Sequence, residues 1–110
     1  MKEDSVYIAQ IVEAVAKIRS FVGSMSKDKF FKDQKTQSAV ILQLALIGEL
    51  AKKISEETKQ NIDLPWRDIA GFRDRAVHDY YQIDLEIVWN TIHSDLVLLE
   101  EKLKSPQSCA

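Results

Sequence analysis

The stretch Ala39–Leu50, "AVILQLALIGEL", decides the fold. Apart from Gln43, Gly48 and Glu49, every residue in it is apolar. The run is far shorter than the ~20 apolar residues that cross a bilayer. Read as a helix it is apolar nearly all round, and such a helix is buried on most sides. Other helices must therefore surround it. The helix itself is predicted from about Lys35 to Thr58. Glu49 closes the run, where a carboxylate is costly unless paired. Two placements stay open for it: pointing to the rim or bonding a neighbour, or beside a functional cleft.

Working outward, Ile8, Ile11, Val12, Val15, Ile18 and Val22 recur at helical spacing, with Gln10, Glu13 and Lys17 between them. They predict an amphipathic first helix, opened by Asp4 or Ser5 as cap and closing near Gly23. "SKDKFFKD", Ser26–Asp33, reads as a short turn or helical piece that Phe30 and Phe31 plug into the core. Downstream, Pro65 suits the first turn of a helix running to about Tyr80. Asp84 then caps a last helix ending near Lys104, with a stripe of Leu85, Val88, Ile92, Leu96, Leu99 and Leu103. The expected fold class is all-α: an antiparallel bundle of four main helices plus a short connecting helix, one domain over residues 1–104. Residues 105–110 are expected to be a flexible tail.

The 110 residues suffice for one core. Three glycines and two prolines leave little room for a turn-rich all-β fold. A net charge of −2 argues against a surface coated in positive charge for non-specific DNA binding, though not against a local basic groove. With Cys109 as the lone cysteine, one chain builds neither a disulfide nor a Cys-based zinc site, which fits a reducing cytoplasm. The first residues lack the apolar region of a signal peptide, and no membrane span is expected. There is no Gly-rich phosphate loop and no nucleophile elbow.

The chemistry concentrates in "FRDRAVHDYYQID", Phe72–Asp84. Seven residues separate Arg73 from Tyr80, so on a helix both lie on nearly one face, while Asp74 and His78, four apart, share another. Arg73 and His78 are splayed by roughly 140°, so a site using both needs another element, most simply a second copy of the chain. Histidine acts as acid or base near neutral pH. Arginine grips phosphate, and tyrosine adds a hydroxyl and an aromatic face. That set suits phosphodiester transfer without a metal. The competing reading makes His78 a helix cap, and Arg73 with Asp74, and Arg75 with Asp79, surface pairs of small energy. Spacing alone does not choose between them. His93-Ser94-Asp95 lacks a third ligand at a metal-like spacing and reads as a solvated helix face. Lys27, Lys29, Lys32 and Lys35 alternate with Asp28 and Asp33 and read as a solvated connector.

"FRDRAVHDYYQIDLEIVW" resembles the signature of the HepT-like HEPN toxins: Arg, four to six residues, His, any residue, Tyr. Here these are Arg73, His78 and Tyr80, and Asp79 stands where many relatives carry a small residue. "LPWRDIAGFRDR", "IDLEIVWNTI" and "AVILQLALIGELAKKIS" are similar to the family's flanking and central helices, so the resemblance spans about Phe31 to Leu103. It implies a HEPN bundle that dimerises and acts as a metal-independent endoribonuclease. The family's role is that of toxin in a type II toxin–antitoxin pair. Arg73 and His78 would be catalytic, with Asp74 and Tyr80 supporting them against RNA; no cofactor or metal is implied. The implied partner is a minimal nucleotidyltransferase antitoxin, which in some members attaches AMP to the motif tyrosine, here Tyr80. The alternative is a non-catalytic helical subunit that partners such a nucleotidyltransferase.

Overall fold

The computed structural model describes the backbone of residues 2–78 and 84–104, and side chains within those ranges except at Lys2, Val77 and His78. Among the described residues every regular element is helical. In chain order they are α1 Lys2–Val22, α2 Lys27–Lys32, α3 Gln34–Lys53, α4 Glu56–Asn61, α5 Trp66–His78, α6 Leu85–Asn90 and α7 Leu96–Lys104. A π-helical turn, Thr91–Asp95, joins α6 to α7, so the two form one rod. The fold is the all-α bundle expected, with α1, α3, α5 and the α6–α7 rod as its main helices. Two short helices connect them rather than one.

The apolar stripes read from the sequence form the core. Ile11, Val15 and Ile18 of α1 meet Val40, Ile47 and Ala51 of α3, with Val88, Ile92, Leu96 and Leu99 of the rod closing over them. Asp4 near the start of α1 meets Ser55 just past the end of α3, so these helices run antiparallel. Arg19 reaches Glu100, and Lys27 reaches Glu86, so the rod runs antiparallel to α1.

Several boundaries differ from the sequence expectation. α1 starts at Lys2, and Asp4 does not cap it. Asp4 is buried at 4% exposure and accepts hydrogen bonds from Ser55 N (3.0 Å), Ser55 Oγ (2.6 Å) and Thr58 Oγ1 (2.6 Å). Buried carboxylates need such donors. The helix expected over Lys35–Thr58 stops at Lys53. Ile54 turns extended, and Ser55 Oγ accepts Thr58 N to start α4. A serine offered both a local amide and a distant carboxylate does better as a cap than inside a helix. Phe30 is fully buried, but Phe31 is exposed, with Lys27 over its ring. A two-turn helix presents one face inward, so adjacent positions cannot both plug the core.

The cap at Asp84 is present: its Oδ1 accepts Glu86 N at 2.9 Å. The rod it opens is not α-helical throughout. Leu96 N bonds Thr91 O, a five-residue step. His93 Nδ1 lies 2.9 Å from Trp89 O, and Ser94 Oγ donates to Asn90 O at 2.8 Å. Both side chains bond carbonyls in the stretch where the ladder widens. A carbonyl only accepts, so His93 Nδ1 carries its proton.

Candidate active site on α3 and α5

α5 is anchored at its start. Ile69 N bonds Pro65 O, and Trp66 Nε1 donates to Ile62 O (2.9 Å) and Lys59 O (3.2 Å), tying α5 to α4. It then crosses α3 at Gly48. A Cβ on Gly48 would lie 2.6 Å from Arg73 N, 3.0 Å from Ile69 O and 3.1 Å from Ala70 O. Only a residue without a side chain lets the two backbones approach this closely.

That crossing delivers Arg73 onto α3. Its Nε lies 3.3 Å from Glu49 Oε2, and its Nη1 lies 3.5 Å from Asp74 Oδ1. Asp74 Oδ1 in turn accepts from Lys52 Nζ at 3.2 Å. The result is a row of four charges, Glu49, Arg73, Asp74 and Lys52, stitching α3 to α5 twice. The Asp74 carboxyl is held below the usual carboxylate range, first by its hydrogen bond with Lys52 and that ammonium's charge, then by Arg73. The Arg73 side chain is 42% exposed, and its two contacts are longer than the ~2.8 Å of a tight charge-assisted bond. Guanidinium has five N–H donors, so capacity remains for an incoming oxyanion.

The row borders an uncovered apolar stripe. Leu42 and Leu46 of α3 are 66% and 44% exposed. On a helix, positions 42, 46 and 49 fall within about 60° of one another, so Glu49 continues the leucines' face. The central helix is thus buried on most sides, as its composition led one to expect, with Leu42 and Leu46 on the side its own chain leaves open.

Of the site residues named from sequence, Arg73 and Asp74 stand together here. The side chain of His78 and all of Asp79, Tyr80 and Tyr81 lie outside the described residues; the backbone at His78 closes α5. Glu49 takes the first of its two open placements, half-exposed at the rim and bonded to Arg73. The Arg73–Asp74 contact is the surface pair foreseen by the competing reading, but the Glu49 contact is not. Arg75 turns away, stacking on Phe72 and donating to Asp68 O. Sequence reasoning missed Lys52 and Gly48. The signal for Gly48 was a glycine inside a helix with no turn to make.

The other candidates take no part. His93, Ser94 and Asp95 are exposed, with the His93 ring 4.1 Å from that of Trp89. Lys29, Lys32 and Lys35 are solvated. Among the described residues, no group of three or more His, Cys, Asp or Glu is arranged to hold a metal ion. No described helix is long and apolar enough to cross a membrane.

The chain matches the family described as Ribonuclease HepT-like over residues 11–105. It is 35% identical over 99 residues to a probable ribonuclease HepT of Thermococcus cleftensis, covering 89% of this chain and 90% of that protein. It is 35% identical over 108 residues to a putative RNase of Methanocaldococcus jannaschii, covering 94% and 89%. A putative RNase of Caldanaerobacter subterraneus subsp. tengcongensis is 30% identical over 105 residues, covering 94% of each. No solved structure matches significantly.

Proposed function

Since this chain belongs to the HepT-like ribonuclease family, we propose that it is a metal-independent endoribonuclease, the toxin of a two-component toxin–antitoxin pair working in the cytoplasm. Its site is built from Arg73 and His78 of two copies of the chain. The observation that carries this reading is the half-exposed guanidinium of Arg73 beside the bare Leu42–Leu46 stripe. Burying that stripe against a second copy brings two Arg73 groups toward one cleft, and a twofold interface is self-complementary in this way. It also answers the splay of Arg73 from His78 along one helix.

In the proposed reaction His78 takes the proton of a ribose 2′-hydroxyl, and the oxygen attacks the adjacent phosphorus. Arg73 grips the phosphate and stabilises the charge that builds on its oxygens. The bond to the 5′-oxygen breaks, and the His78 of the second copy returns a proton to it. The products are a 2′,3′-cyclic phosphate and a 5′-hydroxyl. Asp74, pinned by Lys52, fixes the end of Arg73 nearest α5. Tyr80 lies one heptad from Arg73 and supports the RNA. It is also the proposed attachment point for AMP from a minimal nucleotidyltransferase antitoxin, its phenol oxygen attacking the α-phosphorus of ATP and releasing pyrophosphate. The attached phosphodiester would occupy Arg73 at high effective concentration and repel RNA.

The test is RNA cleavage by the purified chain with and without chelator, beside His78→Ala and Arg73→Ala. Cleavage indifferent to chelator and lost in both variants is the expected result. Undiminished cleavage by His78→Ala overturns the assignment, and an intact wild-type chain that leaves RNA uncut favours a non-catalytic binding subunit.

A further inference from the structure

We infer that Glu49 is the positioning residue of Arg73, holding the guanidinium through Nε so that its remaining donors meet the scissile phosphate. Gly48 is the residue that makes this contact possible. The inference rests on the ribonuclease reading above and adds to it a side chain from a different helix.

Three observations converge on it. First, the approach is built into the backbone: Gly48 brings Arg73 N so close to α3 that any side chain at 48 would overlap it. The next residue, Glu49, then reaches Nε at 3.3 Å. Second, the contacts come from both sides and are themselves anchored. Glu49 is fixed by α3, and Asp74, which touches Nη1, is held by Lys52, also from α3. A long, freely rotating arginine loses rotamer entropy when it grips a ligand, and a guanidinium already oriented loses less of it when phosphate arrives. Third, stability does not account for the pair. Both side chains are over two-fifths exposed, at 42% and 45%, and ion pairs so open to water contribute little to stability. An alanine or leucine at 49 would continue the apolar run at no such cost. A carboxylate there is explained by what it does to Arg73.

The experiment compares wild type, Glu49→Ala, Glu49→Gln and Arg73→Ala as full chains on an RNA oligonucleotide, with thermal unfolding of each. Glu49→Ala should lower kcat by about tenfold to a hundredfold, the scale expected when a reacting group is misplaced by about 1 Å. KM should stay within about threefold, since an interaction used only in the transition state shows in kcat. Glu49→Gln keeps an oxygen that accepts from Nε and should recover most of the loss. A purely structural role would not be rescued in this split manner. The Arg73 Nε–H resonance, assigned by its disappearance in Arg73→Lys, gives a readout independent of cleavage. It should shift and broaden in Glu49→Ala and return in Glu49→Gln.

An unchanged kcat in Glu49→Ala overturns the inference. So does a raised kcat, which would make Glu49 a competitor of phosphate, or a loss confined to KM. An unaltered Nε–H resonance does the same. If wild type cleaves no RNA, the ribonuclease reading fails instead, and the resonance alone decides whether Glu49 holds Arg73.

Discussion

Gly48→Ala tests the crossing on which the site depends. The added Cβ would sit 2.6 Å from Arg73 N, whereas ordinary contact begins at 3.4 Å, so α5 must retreat by the difference, about 0.8 Å. The other two near atoms, Ile69 O at 3.0 Å and Ala70 O at 3.1 Å, are also backbone of α5, so no side chain can swing aside. Overpacking of this kind costs about 1–3 kcal/mol, and a rigid obstacle belongs at the upper end. Alanine returns about 1 kcal/mol through its better helix propensity. The net loss is about 2 kcal/mol, or a fall of roughly 8–16 °C in Tm for a domain of this size. A retreat of that size also stretches the Glu49–Arg73 contact from 3.3 Å to about 4 Å, so RNA cleavage should fall with stability. Gly71→Ala is the matched control. Its Cβ would meet only the Arg75 guanidinium, at 3.0 Å, the far end of a flexible side chain. It should be neutral or up to about 1 kcal/mol more stable. Urea unfolding followed by circular dichroism measures both. A Gly48→Ala chain as stable as wild type, or a Gly71→Ala chain that loses more, refutes the reasoning.

Asp4→Asn should lower stability at pH 7 by about 1–3 kcal/mol, because three donors lose their charged acceptor. The Asp4 carboxyl is held below its ordinary value of 3.8, chiefly by the Ser55 hydroxyl and then by that of Thr58. Its contribution is therefore complete above that value and lost as pH falls through the lower folded pKa, so urea midpoints of wild type and variant should converge on acidification. Leu42→Glu with Leu46→Glu should leave the helices intact and give a monomer by light scattering, where wild type should give a dimer; a dimer in the variant would place the interface elsewhere. Tyr80→Phe should take up no AMP from the cognate nucleotidyltransferase, ATP and magnesium, as read by mass spectrometry. AMP on Tyr81 instead would defeat the assignment, which rests on the seven-residue spacing of Tyr80 from Arg73.

The main helices were legible because burial leaves a period. The stripes of α1 and of the α6–α7 rod are the residues that fill the core. Asp84 was legible as a cap because its bond is local. Asp4 was not, because a carboxylate that caps its own helix and one that reaches Ser55 from a distant part of the chain are written with the same letter. α4 was hidden for the same reason: the residues after Ser55 are good helix formers, and only the tertiary bond shows that a new helix begins there. Arg73 stood out by its company in the motif. Its partner Glu49 carried a fainter mark, a charge where the pattern demanded none, and the partner itself became visible only once α3 and α5 were brought together.

The π-helical turn at Thr91–Asp95 gives the last rod a property that a uniform helix lacks. It acts as a phase adjuster. Each residue of an α-helix advances about 100°, so two successive four-residue steps, Val88 to Ile92 to Leu96, would drift about 80° around the rod. A wider turn takes up that drift, and all three residues are buried at 7%, 5% and 1% exposure. One end of the rod is thereby indexed to Phe30 and α2 through Trp89, and the other to α1 through Glu100, without either giving way. Removing a single residue from this turn would leave Val88 and Leu96 seven positions apart, which a plain α-helix spans within about 20° of two full turns, so the turn houses the one extra residue that a uniform rod could not hold in phase.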